Sequence, residues 1–154
     1  MATNTLLQSL NDSANQATID SSNRRQVETY LASAAIAAGD AVCFDASKTN
    51  ASDKALYVLK ASTNAATSKC FVGIAIEAAA AAGDRIKVCI SGICIANITA
   101  ANAASAGVNL MISAHPAAGE LADYSAGSVL QNVGISCEAR DGDGQATVMI
   151  FKQF

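Results

Sequence analysis

Few residues in this 154-residue chain are of a type that does chemistry, and their spacing decides what each can do. There is one histidine, His115, directly before the only proline, Pro116. A histidine binds metal or shuttles protons only with carboxylate or thiolate help, and no ligand spacing surrounds this one, so it reads as a surface turn residue. Asp141-Gly142-Asp143-Gly144 has the opening letters of a calcium loop but lacks its later oxygen ligands and closing glutamate. Asp-Gly dipeptides between strand-like runs instead predict a hairpin turn. Glu77 and Glu138 each follow a Val-Gly-Ile run. Two carboxylates meeting in a cleft do acid–base work, but matching places in a repeated unit point to equivalent turns that bind backbone amides.

The five cysteines, Cys43, Cys70, Cys89, Cys94 and Cys137, form no CxxC pair. An odd number, each inside an apolar run, reads as buried free thiols of a reducing compartment. A Cys89–Cys94 disulfide would need a sharp bend between the two, since both lie in one extended stretch. No G-x-S-x-G elbow and no phosphate-cradling glycine loop is present. Catalytic, cofactor-binding and metal-ligating residues are therefore all expected to be absent.

The bulk composition narrows the remaining classes. The chain is 51% hydrophobic but 15% charged, with much of the apolar share in alanine. Small uncharged side chains suit closely packed surfaces, including the centres of subunit interfaces. A net charge of −3, with Arg24-Arg25 the only adjacent basic pair, argues against nucleic acid as a partner. Asp40, Glu77 and Asp84 interrupt the longest apolar runs, so no membrane-spanning helix is expected. The N-terminus lacks a basic stretch followed by an apolar one, so no signal peptide is expected.

The elements that carry these residues read as strands. Residues 1–25 are mostly polar, with Leu6, Leu7 and Leu10 the only apolar cluster, and read either as a disordered N-terminus or as an extended arm that orders on a neighbouring subunit; residues 26–154 are expected to form a β-rich domain. Strands are expected at Gln26–Leu31, Asp40–Asp45, Leu56–Leu59, Phe71–Ile76, Arg85–Ile98, Val108–Ile112, Leu121–Tyr124, Val129–Ile135 and Ala146–Phe151. Loops are expected at 46–53 and 60–69, turns at 78–84 and 115–119, and a short helix or loop at 99–105. Eight to ten short strands joined by small-residue turns define an all-β class, a compact β-sandwich or barrel-like domain.

Phe71–Ile95 organises the chain. In it Ile86, Val88 and Ile90 alternate on even positions, whereas Ile93 and Ile95 are odd. A one-residue slip flips the buried face, so a bulge or bend is expected at Gly92, carrying the strand from one sheet toward another. Val72-Gly73-Ile74-Ala75-Ile76-Glu77-Ala78 is echoed by Val133-Gly134-Ile135-Ser136-Cys137-Glu138-Ala139, and Ala38-Gly39-Asp40 by Ala82-Gly83-Asp84. A repeated strand–turn–strand unit accounts for both echoes.

The words Ile36-Ala37-Ala38-Gly39-Asp40-Ala41-Val42, Val72-Gly73-Ile74-Ala75, Ala82-Gly83-Asp84-x-Ile86-x-Val88, Ser91-Gly92-Ile93 and Val133-Gly134-Ile135 together resemble the small capsid decoration (cement) proteins of tailed bacteriophages, over roughly Gln26 to Phe151. The resemblance implies a non-enzymatic virion protein, made in the host cytoplasm, that sits as a homotrimer on the outer surface of the head. Its implied partner is the major capsid protein, whose neighbouring subunits it would bridge and stabilise. The N-terminal arm, with Leu6, Leu7, Leu10, Arg24 and Arg25, would then be the capsid-contacting element. The alternative is a receptor- or glycan-binding domain of a phage fibre or tail. Sugar stacking needs exposed aromatics, and three Tyr, four Phe and no Trp supply few.

Overall fold

Alternating short strands bury one face each, and here they find two separate cores to bury it in. The computed structural model describes residues 25–62, 70–100, 105–112, 118–124 and 132–152. Its strands are β1 (Arg25–Ala32), β2 (Ala41–Phe44), β3 (Tyr57–Lys60), β4 (Phe71–Ala75), β5 (Arg85–Asn97), β6 (Asn109–Ile112), β7 (Leu121–Asp123), β8 (Asn132–Ser136) and β9 (Gln145–Ile150), with one short helix, α1 (Ala51–Leu56). The strand order is β1-β3-β2-β4-β5-β9-β8-β6-β7, and a further β1–β5 pairing closes the first five into a small barrel. The all-β, barrel-like class expected from the alternation is the one observed.

Each strand of the closed ring contributes to one core. Tyr30, Ala32, Val42, Val58, Val72, Ala75, Ile86, Val88 and Ile90 line it, with Ile36 and Ala79 plugging it from the turns. A ring of five strands leaves little internal width, which small side chains fill without strain. The second core lies between the outer face of the ring and the leaf β9-β8-β6-β7. Cys43, Phe71, Ile74 and Cys89 face it from the ring, and Leu110, Ile112, Leu121, Val133, Val148 and Ile150 from the leaf.

β5 belongs to both units. Its first half pairs with β1 and β4, and its second half, Gly92–Asn97, pairs with β9. The change occurs at a bulge: Gln26 pairs with Ser91 but Val27 with Cys89, leaving Ile90 as the extra residue. Gly92 beside it has φ +97°, a conformation that any side chain would strain. The slip reverses the strand's faces, so Cys89 before it and Cys94 and Ala96 after it all reach the second core.

That geometry corrects one expectation. Ile93 and Ile95 do continue the face of Ile86, Val88 and Ile90, but beyond the bulge that face is uncovered, and they stand 46% and 57% exposed. The barrel core ends where β1 and β4 leave β5. A second correction is α1, which occupies part of the expected 46–53 loop and holds Leu56, so β3 starts one residue later than expected. Asp53 in its first turn and Lys54 in its last favour the helix dipole.

The expected loop at 60–69, short helix or loop at 99–105 and turn at 115–119 fall largely on residues 63–69, 101–104 and 113–117, which lie outside the described residues, as do Val129, Leu130 and Gln131. Among the described residues, no helix is long and apolar enough to cross a membrane.

Candidate interaction surface

The residues expected to carry capsid contact divide between two regions of the chain. Leu6, Leu7, Leu10 and Arg24 lie outside the described residues. Arg25 is the first residue of β1, opposite Gly92 at the β5 bulge. It lines a cavity of about 230 Å³ together with Ala38, Gly39, Ala75, Ile76, Ile95 and Gln145. The N-terminal segment therefore joins the domain beside the bend in β5.

The bend also creates a face that alternation alone did not single out. Residues opposite one another in an antiparallel pair point to the same side. Cys94 with Val148 and Ala96 with Ala146 point into the second core, so Ile93 with Met149 and Ile95 with Thr147 point outward. Ile135 of β8 stands on the far side of Met149. Gln145 and Asn97 end the face, joined by a 3.0 Å bond from Gln145 Nε2 to Asn97 Oδ1.

Glu77, Glu138, Asp40, Asp84 and Asp141 are committed to backbone and turn structure. Glu77 Oε1 accepts from the Lys87 N–H at 2.9 Å, and Glu138 Oε1 from the Thr147 N–H at 2.7 Å, so the two glutamates that follow Val-Gly-Ile hold equivalent turns. Those Thr147 bonds hold the Glu138 carboxyl below the usual range. Asp40 Oδ2 accepts from Ala37 N and Asp84 Oδ2 from Ala81 N, each at 2.8 Å, giving the two Ala-Gly-Asp words one turn geometry. The two turns meet where Ile36 and Ala79 exchange backbone hydrogen bonds. In the β8–β9 hairpin, Asp141 Oδ1 accepts from Asp143 N and Gln145 N, the turn expected of Asp-Gly-Asp-Gly. Burial alone would raise the Asp45 carboxyl, but bonds from Ser33 and Ser47, with Lys48 nearby, outweigh it and hold it low. Among the described residues, no three His, Cys, Asp or Glu side chains converge on a metal-sized site.

The thiols depart from the expectation of uniform burial. Cys43, Cys89 and Cys94 are buried, Cys70 is half-buried, and Cys137 is exposed where the chain leaves β8 for the hairpin loop. Burial pushes the Cys43 thiol up to about 12. Cys89 and Cys94 are both free; Cys89 Sγ donates to the Ser91 carbonyl oxygen at 3.4 Å, and the interaction of the two thiols holds Cys89 low and pushes Cys94 up. A thiol reagent acts on an accessible thiolate. Native protein is expected to take up one label quickly at Cys137 and a second slowly at Cys70, with the other three modified only on unfolding. Peptide mass mapping after timed maleimide labelling reads this directly, and rapid labelling of Cys43 would contradict the packing of the second core.

Comparison with known proteins bears on what these surfaces serve. No curated protein matches the sequence. Residues 24–90 match the phage cement protein family. That span holds the Ile36–Val42, Val72–Ala75 and Ala82–Val88 words and, in the structure, β1 to β4 with the first part of β5. The resemblance read from those words is to the family that this span matches, and the match supports a phage structural protein associated with the capsid. The fold extends past the matched span. It is shared with the N base of the head fiber gp8.5 of bacteriophage phi29, at 14% identity and a TM-score of 0.54, covering 83% of this chain and 95% of that one.

What sequence reasoning missed was the outer β5–β9 face. The signal was present in the parity of Ile93 and Ile95, but parity does not say which side of a strand is covered.

Proposed function

We propose that this protein binds the outer surface of a phage head as a homotrimer and stabilises it by bridging neighbouring major capsid subunits. The observation that carries the proposal is the family match over residues 24–90, the part of the chain that builds the barrel and anchors the N-terminal segment beside Gly92. The occupied carboxylates support a structural and non-enzymatic role, since each is used to hold a turn or a strand end. Synthesis in the host cytoplasm agrees with the free thiols.

Residues 1–25, with Leu6, Leu7, Leu10, Arg24 and Arg25, are proposed as the capsid-contacting arm of a domain that spans 26–154. An extended segment can add main-chain hydrogen bonds to a sheet edge while its leucines fill pockets. Three such arms on one trimer act together, and linked contacts raise avidity by roughly 10²–10⁴-fold over one alone. Bridging follows, because arms that reach different capsid subunits resist their separation.

Deleting residues 1–24 tests this with purified empty capsids. The truncated protein is expected to keep its circular dichroism spectrum and its trimeric mass while its capsid affinity falls by at least about 100-fold. Undiminished binding would remove the arm from the proposal, and an unfolded product would show that the domain begins before residue 26.

A further inference from the structure

The outer face of β5 and β9 is the part of the described surface that neither the cores nor the turns explain. Ile93, Ile95 and Met149 are 46%, 57% and 39% exposed and stand beside one another across two paired strands. Thr147 and Ile135 extend the face without adding charge. Apolar side chains gathered in this way mark a surface that another group covers.

An open strand edge runs beside that face. Gly92 pairs with Arg25 of β1 on one edge of β5 and with Ile150 of β9 on the other. Beyond Gly92, no strand of the described residues pairs with β5 on the β1 edge. In an antiparallel strand, backbone groups of alternate residues point to the same edge. The Ile98 N–H donates toward the β9 side, to Gly144, and the Asn97 N–H away from it, to Gly39. Ile95 and Ile93 share the parity of Asn97, so their N–H and C=O groups point to the edge that β1 occupies only as far as Gly92.

The group nearest to both features is the chain's own N-terminal segment. Residues 1–24 precede Arg25 directly, and Leu6, Leu7 and Leu10 are their only apolar cluster. Residues 11–24 join Leu10 to Arg25. A coil of that length spans roughly 20 Å, and fully extended it reaches about 50 Å, whereas Ile93 lies one residue past the partner of Arg25. A segment tethered so closely meets its own domain at an effective concentration in the mM range, well above that of a second copy free in solution. The cavity beside the face is bordered by Arg25 itself, and Ala38, Gly39, Ala75, Ile76 and Ile95 give it small and apolar walls suited to a leucine side chain.

We propose that the outer β5–β9 face seats the N-terminal segment of its own chain, which passes from Arg25 along the open edge of β5 and lays Leu6, Leu7 and Leu10 over Ile93, Ile95 and Met149. The contact belongs to the free protein and does not depend on the capsid reading. It shields the leucines from water, so a capsid surface that takes up the arm uncovers Ile93 and Ile95.

Benzoylphenylalanine installed at Met149 of the full-length protein, without capsids, tests this. Irradiation is expected to give cross-links within one chain. These keep the monomer mass on a denaturing gel and join the peptide carrying position 149 to residues 1–24, which trypsin releases after Arg24. Leu6→Ser, Leu7→Ser and Leu10→Ser together should lower that yield at least about 10-fold. The same group at Leu56, exposed on α1, should give less than about a tenth of the yield. Should the Met149 variant lose its circular dichroism spectrum, the group placed at Ile95 reads the same face. Absence of any cross-link to residues 1–24 overturns the proposal, as does an equal yield from Leu56, which would mean that the segment has no fixed seat. Cross-links that carry the mass of two chains would give the face to a second copy and overturn it equally. An intrachain cross-link in a protein whose 1–24 deletion still binds capsids fully would uphold the seat and defeat the capsid-contacting arm.

Discussion

Gly73→Ala and Gly134→Ala are each expected to lower folding stability by about 3 kcal/mol, the upper part of the range for overpacking a close-packed site. Both glycines sit in strands where the neighbouring backbone comes unusually close. A Cβ at Gly73 would collide with the Cys89 carbonyl oxygen of β5, and one at Gly134 with the Met149 carbonyl oxygen of β9. The obstructing atoms are main chain, so no rotamer change relieves the collision. Retreat is also blocked, because β5 is held by β1 and β9, and β9 by β5 and β8. For a chain of this size the loss corresponds to a fall in Tm of roughly 6–12 °C. Gly142→Ala is the control: nothing lies within 4 Å of its added Cβ, so its stability should stay within about 0.5 kcal/mol of wild type. Chemical denaturation of the three variants decides the matter, and a Gly73→Ala protein as stable as the Gly142→Ala control would mean that β4 and β5 are not packed this closely. These contacts also explain the repeated Val-Gly-Ile word, since each glycine lets its hairpin partner approach.

Asp40→Ala is expected to cost about 2–4 kcal/mol. Asp40 is 4% exposed and joins four parts of the fold. Its carboxylate meets Lys60 Nζ at the end of β3 at 2.8 Å, Asn97 Nδ2 at the end of β5 at 3.0 Å and the Ala37 N–H at 2.8 Å. Asn97 passes the connection to β9 through Gln145. Removing the carboxylate takes the acceptor from the Ala37 N–H and from one of the two bonds of Asn97 Nδ2, which keeps the Ala38 carbonyl; Lys60, more open to water, recovers part of its loss by solvation. The Lys87–Glu77 pair is a useful contrast. Its side chains are 57% and 41% exposed, so Lys87→Met should change stability by less than about 1 kcal/mol, Glu77 keeping its bond to the Lys87 N–H. If Asp40→Ala unfolds at the same denaturant concentration as Lys87→Met, the buried network contributes nothing and the turn is held by its backbone alone.

These two sites show how unevenly the fold was written in the residues. The hairpin glycines and the Ala-Gly-Asp turns were visible as repeated words because a close approach and a tight turn each restrict residue type locally. The pairing of Asp40 with Lys60 and Asn97 was not visible, since its partners lie 20 and 57 positions away and any acid, base or amide would have looked the same on the page. α1 was hidden for a related reason: its six residues, of which only Leu56 is large and apolar, carry no helical stripe, and none of them is buried. Cys137 was grouped with the buried thiols because it continues the Val133-Gly134-Ile135 run, but β8 ends one residue before it, at Ser136.

By itself the sequence determined the all-β class, the main strands and their turns, the bulge in β5 and the likeness to phage cement proteins over residues 24–90, because alternation, glycine placement and turn acids act over a few residues. The tertiary structure decided that β1 returns to β5 and closes a barrel, that β5 then leaves it for the second leaf, and that Ile93 and Ile95 therefore face outward. The physical reason is that alternation marks the two sides of a strand, while coverage of either side depends on segments far along the chain.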